Sequence, residues 1–242
     1  MKALVFAAGR GERMRPLTDA TPKPLLEAGG KPLIVRHLEK LAAAGATDVV
    51  VNTSWLAPRF PQALGDGSRW GLRLHYSLEG EVPLETGGGM FHALPWLRGA
   101  GGGNDAFLAV NGDIHTEHDY AALPREPGGD AHLVLVDNPG HHPRGDFVLH
   151  PDGRVSDDGA ERLTFAGIGM YRPSLFDDWH AVVAGSAGAD ADPPRFQLAP
   201  LLRAAMARGA VTGERHRGRW TDVGTPQRLA DLDAALRDAR RR

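Results

Sequence analysis

Short apolar runs alternate with amphipathic segments through the first half of the chain. Four runs predict buried strands, at 2–8, 48–52, 72–76 and 106–110. Three segments with apolar residues at helical spacing predict helices, at 32–44, 55–64 and 90–97. Gly45 ends the first helix, and Gly87, Gly88 and Gly89 open the third. This alternation is typical of a mostly parallel sheet with helices on both faces, so we expect a doubly wound, Rossmann-like α/β core.

The pattern changes near residue 131. Strand-like runs at 132–136, 147–150 and 163–171 are separated by turns rich in Gly, Pro, Asp and Asn. They predict antiparallel strands added to the parallel core, making the sheet mixed, and we expect them to enclose a second ligand. Helices predicted at 197–208 and 225–239 complete the chain.

Composition narrows the classes of function. A chain of 242 residues with 42% hydrophobic and 24% charged residues is typical of one globular domain. A net charge of −2 argues against a broad nucleic-acid-binding surface, and the absence of Cys excludes disulfides, thiolate metal sites and a Cys nucleophile. The apolar run from Ala3 to Ala8 is too short for a signal peptide or a membrane span, so we expect a cytoplasmic protein without membrane contact.

The loop after the first strand is the first candidate for phosphate chemistry. Gly9 and Gly11 let backbone N–H groups approach phosphate oxygens, and Arg13 adds positive charge. The alternative is a Gly-rich turn that only changes the chain direction. Met14 occupies the third glycine position of a Gly-x-Gly-x-x-Gly fingerprint, which argues against the rival class of nicotinamide-dependent dehydrogenases.

Lys23 is the second candidate. Pro22 and Pro24 restrict the backbone on both sides of it, so the lysine lies on a stiff segment. The chain has only four lysines among its 28 basic residues, which favours a phosphate ligand over a solvated side chain in a proline turn.

Two aspartates are candidates for a Mg²⁺ site. Asp113 follows a buried strand directly, where a carboxylate and substrate phosphates could share the ion; the alternative is an Asn-Gly hairpin turn. Asp222 precedes the last helix, but Thr225 before Pro226 is the better helix cap, so capping does not explain Asp222.

Taken together, these segments resemble the sugar-nucleotide pyrophosphorylase family of nucleotidyltransferases. The matching motifs occur in the family's order, at Ala7–Thr18, Pro22–Leu25, Asn111–Asp113 and Asp222–Thr225. The resemblance implies one nucleotidyltransferase domain over 1–242, with a nucleotide-binding half at 1–115 and a sugar-phosphate-binding half at 116–242. It also implies that a nucleotidyl group is transferred from a nucleoside triphosphate to a sugar 1-phosphate, with release of pyrophosphate.

Carried over residue by residue, the resemblance assigns roles. Asp113 and Asp222 would bind Mg²⁺, Arg13 would hold the leaving pyrophosphate, and Lys23 would hold the transferred α-phosphate. The expected nucleotide-binding residues are Ala7, Ala8, Gly9, Gly11, Arg13, Lys23, Asn52, Glu85, Gly87 and Gly88. The expected sugar-phosphate-binding residues are Asn111, Asn138, Gly145, Thr164 and Gly167.

Other segments resemble the short family members that join UTP to N-acetylmuramic acid 1-phosphate in cell-wall sugar recycling. They lie at 52–56, 64–69, 84–89 and 134–142. Mannose or glucose 1-phosphate with GTP or dTTP, and a catalytically silent regulator, are the alternatives. No lysine follows Lys40 to match the Glu-Lys-Pro of longer relatives, so Arg144 or Arg217 is expected to replace it. His141 and His142 favour sugar positioning over a transition-metal site, and we expect a monomer or a small homo-oligomer.

Overall fold

The computed structural model describes residues 1–98 and 102–241. The strands in these residues are β1 Lys2–Phe6, β2 Glu27–Ala28, β3 Lys31–Pro32, β4 Asp48–Thr53, β5 Arg73–Leu78, β6 Phe107–Asn111, β7 Ile114–Thr116, β8 Ala131–Val136, β9 Phe147–Leu149, β10 Val155–Ser156, β11 Arg162–Tyr171, β12 Val211–Arg215 and β13 Trp220–Asp222. The helices are α1 Leu33–Ala43, α2 Arg59–Leu64, α3 Glu85–Leu97, α4 Trp179–Val182, α5 Ala199–Ala207 and α6 Pro226–Arg241. None of the helices in these residues combines the length and the apolar character that a membrane span needs.

One mixed sheet runs through the molecule in the order β5-β4-β1-β6-β11-β9-β10. Its first four strands are parallel, and β11 is antiparallel to β6 on one part of its length. The strand β8 also pairs with β11 in antiparallel orientation and carries β12 as a parallel neighbour. The predicted α/β sheet with added antiparallel strands is confirmed.

Helices cover both faces of this sheet. Along β1, Val5 points to the side covered by Leu38 of α1, and Leu4 points to the side covered by Met90 of α3. Because successive side chains of a strand alternate between faces, a strand buried on both sides needs an unbroken apolar run. That requirement explains why β1, β4 and β6 were visible as continuous apolar segments in the sequence.

Two helices differ from their predicted bounds. The helix α2 begins at Arg59 rather than at 55, because Leu56 adopts a left-handed backbone conformation with φ 51° that interrupts any helix before it. The helix α3 begins at Glu85, so the three glycines at 87–89 lie inside the helix and do not open it. The close packing described below explains why glycine is required there.

A small two-stranded sheet joins β7 to β13 in antiparallel orientation. Each strand has three residues, which is too short for a period-2 pattern to be recognised in the sequence. Its effect is to bring the segment around Asp222 from the end of the chain beside the segment around Asp113.

Candidate active site

A cavity of about 650 Å³, called the main cavity below, opens at the carboxyl ends of the parallel strands. Its walls include Phe6 at the end of β1, Asn52 on β4 and Asn111 at the end of β6, with Asp113 just beyond. In an open parallel sheet this edge is where ligands bind, because several loops converge there at a change in strand order.

The first loop forms one wall of the cavity, and its shape is fixed by contacts at both ends. The N–H of Ala7 donates to Asn52 Oδ1 at 2.6 Å, and the hydroxyl of Thr18 donates to the carbonyl of Gly11 at 2.8 Å. Gly11 has φ 64°, and a β-carbon there would lie 2.9 Å from Thr18 Cγ2, so the turn requires glycine. Arg13 is exposed on this loop and lines the cavity.

Met14 anchors the same loop to the end of the chain. Its side chain is fully buried in a cluster with Leu33, Val223 and Leu232. This packing gives the physical reason why the third glycine of a dinucleotide fingerprint is absent, since the position belongs to a hydrophobic core. The loop is therefore fixed to the segment that carries Asp222.

Lys23 lies on a short 3-10 turn, Lys23–Leu25, that follows Pro22. Only 9% of the residue is exposed, and its Nζ lies 2.5 Å from Asp113 Oδ2. A buried ammonium needs a partner of opposite charge, so this lysine is a defined part of the cavity wall and does not behave as a solvated side chain in a turn.

Asp113 and Asp222 lie on neighbouring segments of the small sheet. Asp222 pairs with Ile114, and the N–H of Val223 donates to the carbonyl of Asp113 at 2.9 Å. The alternative of a hairpin at Asn111-Gly112 does not occur, because β6 pairs with β1 and β11 while β7 pairs with β13. Two aspartates that are remote in the sequence thus lie on neighbouring backbone segments, and of the two Asp113 lines the cavity.

The Asp222 carboxylate is held by two basic side chains. Arg228 NH1 lies 2.5 Å and His141 Nε2 lies 2.8 Å from Asp222 Oδ1. The helix cap is Thr225, whose hydroxyl accepts the N–H of Arg228 at 3.3 Å, so Asp222 is free of a capping role. Asp222 is not one of the residues that line the cavity, but its neighbour Gly224 is, and a β-carbon built on Gly224 would fall 3.0 Å from Asp222 Oδ2.

Glu79 is a cavity residue that the sequence reasoning missed. Its carboxylate accepts Asn52 Nδ2–H at 2.6 Å and the N–H of Leu84 at 2.8 Å. Burial raises the pKa of Glu79 to about 6, and the nearby Glu85 adds to the increase. The signal was present, because Glu79 directly follows β5 in the way that Asp113 closely follows β6. Glu79 fixes both Asn52 and the start of the segment that leads into α3.

Comparison with known proteins identifies the family. The sequence profile of the nucleotidyl transferase family matches residues 2–136. The chain belongs to the nucleotidyl transferase family. It is 47% identical, over 97% of both chains, to an N-acetylmuramate α-1-phosphate uridylyltransferase from Neisseria meningitidis. It is 35% identical to the enzyme of the same name from Caulobacter vibrioides, over 98% of this chain and 97% of that protein.

A solved structure shares the fold of this nucleotidyltransferase. It is a Bacillus anthracis protein, provisionally named a glucose-1-phosphate thymidylyltransferase, in complex with sucrose. The TM-score is 0.80, with 21% identity over 98% of this chain and 96% of that chain. This structure confirms the fold, whereas the profile match and the Neisseria meningitidis relative confirm the family inferred from the motifs and argue against the dehydrogenase alternative.

Most of the predicted nucleotide-binding residues line the main cavity of this nucleotidyltransferase. Those that do are Ala7, Ala8, Gly9, Gly11, Arg13, Lys23, Asn52 and Glu85. Gly87 and Gly88 lie one turn further along α3, where β-carbons would come within 2.6 Å of Phe196 and 2.5 Å of the Pro194 carbonyl. These two glycines allow the 194–197 segment to pack against α3, and their contact with nucleotide stays a prediction.

The predicted sugar-side residues fall into two groups. Asn111 and Gly167 line a second cavity of about 200 Å³, and Asn111 also lines the first. Asn138, Gly145 and Thr164 form a separate cluster, in which the Thr164 hydroxyl donates to Asn138 Oδ1 at 2.9 Å and Gly145 packs against the same oxygen. This cluster lines neither cavity, so its contact with a sugar also stays a prediction.

The structure also shows where Arg144 and Arg217 lie, the two arginines considered as replacements for the lysine of longer relatives. Arg144 is exposed in the loop after β8, and Arg217 lines a different surface cavity of about 430 Å³ that includes His150. Neither lines the two cavities described above. Arg228, which lies against Asp222, was not identified from the sequence, because a single arginine on an exposed helix carries no distinguishing pattern.

Replacing Gly89 by alanine is expected to weaken nucleotide binding by about tenfold. In a helix interior this change ordinarily adds about 1 kcal/mol of stability. Here the new β-carbon would lie 2.4 Å from Glu79 Oε1 and 2.8 Å from Asn52 Nδ2, so it would separate the pair that fixes the cavity wall. Calorimetric titration with a nucleoside triphosphate measures the loss of affinity, and a thermal melt measures the change in stability.

A control for the added methyl group, at a glycine in an open turn, is Gly140→Ala, which is expected to bind nucleotide as the parent does. Gly140 has a negative φ, and no atom lies within 4 Å of the position of an added β-carbon. A Gly89→Ala protein that melted higher and bound nucleotide as the parent does would contradict the role given to Glu79 and Asn52.

Proposed function

We propose that this protein transfers the uridylyl group of UTP to N-acetylmuramate 1-phosphate, releasing pyrophosphate, as part of cell-wall sugar recycling in the cytoplasm. The observation that carries this proposal is the 47% identity, over 97% of both chains, to the Neisseria meningitidis enzyme of that name. The arrangement of Arg13, Lys23 and Asp113 around one cavity supports it, since a triphosphate needs cationic contacts beside a metal-binding carboxylate. In this proposal residues 1–115 supply the nucleotide-binding half, and 116–242 supply the sugar-phosphate-binding half.

The carboxylates present fit the requirements of Mg²⁺. No cluster of three or more His, Cys, Asp or Glu side chains with metal-binding geometry occurs in residues 1–98 and 102–241. Mg²⁺ commonly uses only one or two protein carboxylates and completes its coordination with water and substrate phosphates. Asp113, which directly precedes β7 and lines the cavity, and Asp222, on the paired strand β13, are the residues that would hold it. The ion would neutralise negative charge that develops on the phosphates.

The residues of the chain itself would position the two substrates for in-line displacement. An oxygen of the sugar phosphate attacks the α-phosphorus of the triphosphate, the bond to the β-phosphate oxygen breaks, and pyrophosphate leaves. A phosphate monoester is ionised near neutral pH, so the attack needs no general base. Lys23 would hold the α-phosphate, Arg13 would hold the departing pyrophosphate, and the amides around Gly9 and Gly11 would bind phosphate oxygens.

The other end of the main cavity suits the base. Glu85 and Thr86 lie there at the start of α3, next to the buried Glu79–Asn52 pair. Uracil offers one N–H donor between two carbonyl acceptors, which a carboxylate together with backbone amides can match.

The test is pyrophosphate release measured with a panel of substrates and with Mg²⁺ present or removed by a chelator. UTP, dTTP, GTP and ATP are each paired with the 1-phosphates of N-acetylmuramate, N-acetylglucosamine, glucose and mannose. We expect the highest kcat/KM with UTP and N-acetylmuramate 1-phosphate, and loss of turnover on chelation. A preference for mannose 1-phosphate with GTP would reject the substrate assignment, and no release with any pair would identify a catalytically silent relative.

A further inference from the structure

The second cavity adjoins the main one and has a distinct chemical character. The two cavities share Phe6, Thr86 and Asn111, so a single substrate can extend from one into the other. The inner walls of the second cavity are largely aromatic, with Phe147 and Tyr171 almost completely buried. Such walls suit the carbon skeleton of a sugar and its apolar substituents.

Two charged side chains line this second cavity among the described residues, Asp146 and Arg203. The Asp146 carboxylate is already engaged, because it accepts the N–H of Phe165 at 2.8 Å and contacts His142 Nε2 at 3.0 Å. Both oxygens of Asp146 are thus occupied as hydrogen-bond acceptors, and Arg203 is the cationic side chain among the described residues that line this cavity.

Arg203 is anchored through one side of its guanidinium. Its Nε donates to Asp157 Oδ2 at 2.7 Å, and the other oxygen of Asp157 accepts from Arg162 NH1 at 3.0 Å. One carboxylate thus serves both arginines, through one oxygen each. Among residues 1–98 and 102–241, the terminal nitrogens of Arg203 have no hydrogen-bond partner, and the side chain is 51% exposed.

The position of Arg203 on α5 directs it to the cavity. Ala199, Leu202 and Arg203 all line the cavity, as expected for residues three and four apart on one face of a helix. Leu202 is buried, so it fixes the rotation of the helix and presents Arg203 at the rim. A planar guanidinium with two unoccupied nitrogens matches the two oxygens of a carboxylate.

We propose that Arg203 binds the carboxylate of an acidic substituent on the sugar ring and selects for sugars that carry one. This inference rests on the proposed function, in which the lactyl group of N-acetylmuramate supplies the carboxylate. The phosphate of the sugar lies near Lys23 and Asp113 in the main cavity, and the ring substituents enter the second cavity beyond Asn111. Arg203 is then a specificity-determining residue that lies apart from the reacting phosphates.

The experiment compares Arg203→Gln with the parent enzyme on two substrates that differ in the lactyl group, N-acetylmuramate 1-phosphate and N-acetylglucosamine 1-phosphate, with UTP. The ratio of the two kcat/KM values is the readout. We expect the ratio to fall by about tenfold or more, which corresponds to about 1.4 kcal/mol. Arg203→Lys, which keeps the charge but loses the planar fork, is expected to give an intermediate ratio.

The matched control is Arg208→Gln. Arg208 follows the same helix and is also 51% exposed and paired with an aspartate, Asp130, but it lines neither cavity. Its ratio is expected to equal that of the parent. Thermal melts of all variants identify any that fail to fold. If Arg203→Gln does not fold, the ratio of kcat/KM values is measured on Arg203→Lys instead.

A substrate analogue completes the test. The kcat/KM of the parent enzyme for N-acetylmuramate 1-phosphate is expected to fall by about the same factor when the lactyl carboxylate is converted to the amide. The kcat/KM of Arg203→Gln is expected to change little on the same conversion. A parent enzyme without preference for the lactyl-bearing sugar would overturn the proposed substrate and this inference together. A parent with that preference, kept fully by Arg203→Gln, would overturn the role of Arg203 alone.

Discussion

Replacing Asp113 by alanine is expected to lower kcat by about 10³-fold at saturating Mg²⁺ and to lower the melting temperature of the folded protein. Asp113 is the predicted metal ligand that lines the main cavity, and it is also the partner of the buried Lys23 ammonium. The substitution therefore removes a charge that positions the phosphates and leaves Lys23 without its counterion. Single-turnover measurement of pyrophosphate release separates this loss of chemistry from any change in substrate binding.

The control for Asp113 is Asp137→Ala. Asp137 also follows a strand directly, β8, and also pairs with a basic side chain, Arg215, but it lies outside the main cavity. Its kcat is expected to stay within about twofold of the parent, since exposed ion pairs contribute little. Near-normal turnover of Asp113→Ala at saturating Mg²⁺ would show that the metal is held elsewhere.

Replacing Lys23 by alanine is expected to lower kcat/KM for the nucleoside triphosphate by about 10²-fold to 10³-fold. The ammonium lies in the cavity wall with the residue 9% exposed, so water replaces it poorly. Lys23→Arg is expected to recover only part of the loss, because a planar guanidinium differs in shape from the compact ammonium that contacts Asp113. Steady-state kinetics with each substrate varied in turn make the measurement.

The control for Lys23 is Lys31→Ala, which removes a lysine that pairs with Glu39 at 2.7 Å near the surface. Its kinetics are expected to match the parent. A Lys23→Ala protein with a raised KM for the sugar phosphate and an unchanged kcat/KM for the triphosphate would mean that Lys23 holds the acceptor phosphate and not the α-phosphate.

The sequence predicted the parallel part of the fold because burial on both faces leaves a clear signal. β1, β4 and β6 are unbroken apolar runs, and α1 carries its apolar residues at helical spacing. The strands β7 and β13 were missed because a three-residue strand has no readable period. The start of α3 was misplaced because glycine normally ends helices, whereas here close packing inside the helix requires it.

The site was predictable where the backbone dictates the residue. Lys23 between two prolines and Asp113 after a buried strand stood out because their local geometry is unusual, and both line the main cavity. Glu79 follows β5 as Asp113 follows β6, so the sequence carried a signal for it. Arg228 and Arg203 were missed because their contacts, with His141 and with Asp157, join segments far apart in the chain. Tertiary contacts of single side chains leave no periodic trace in the sequence.

The position of β11 in the sheet limits how the C-terminal segment can be replaced by recombination. β11 lies between β6 and β8, although it comes from residues beyond the 2–136 segment that matches the family profile. A gene fusion that replaced everything after residue 136 would have to supply a new central strand with the correct register on two neighbours at once. New acceptor preferences should therefore arise through point substitutions and loop changes rather than by shuffling of a C-terminal block.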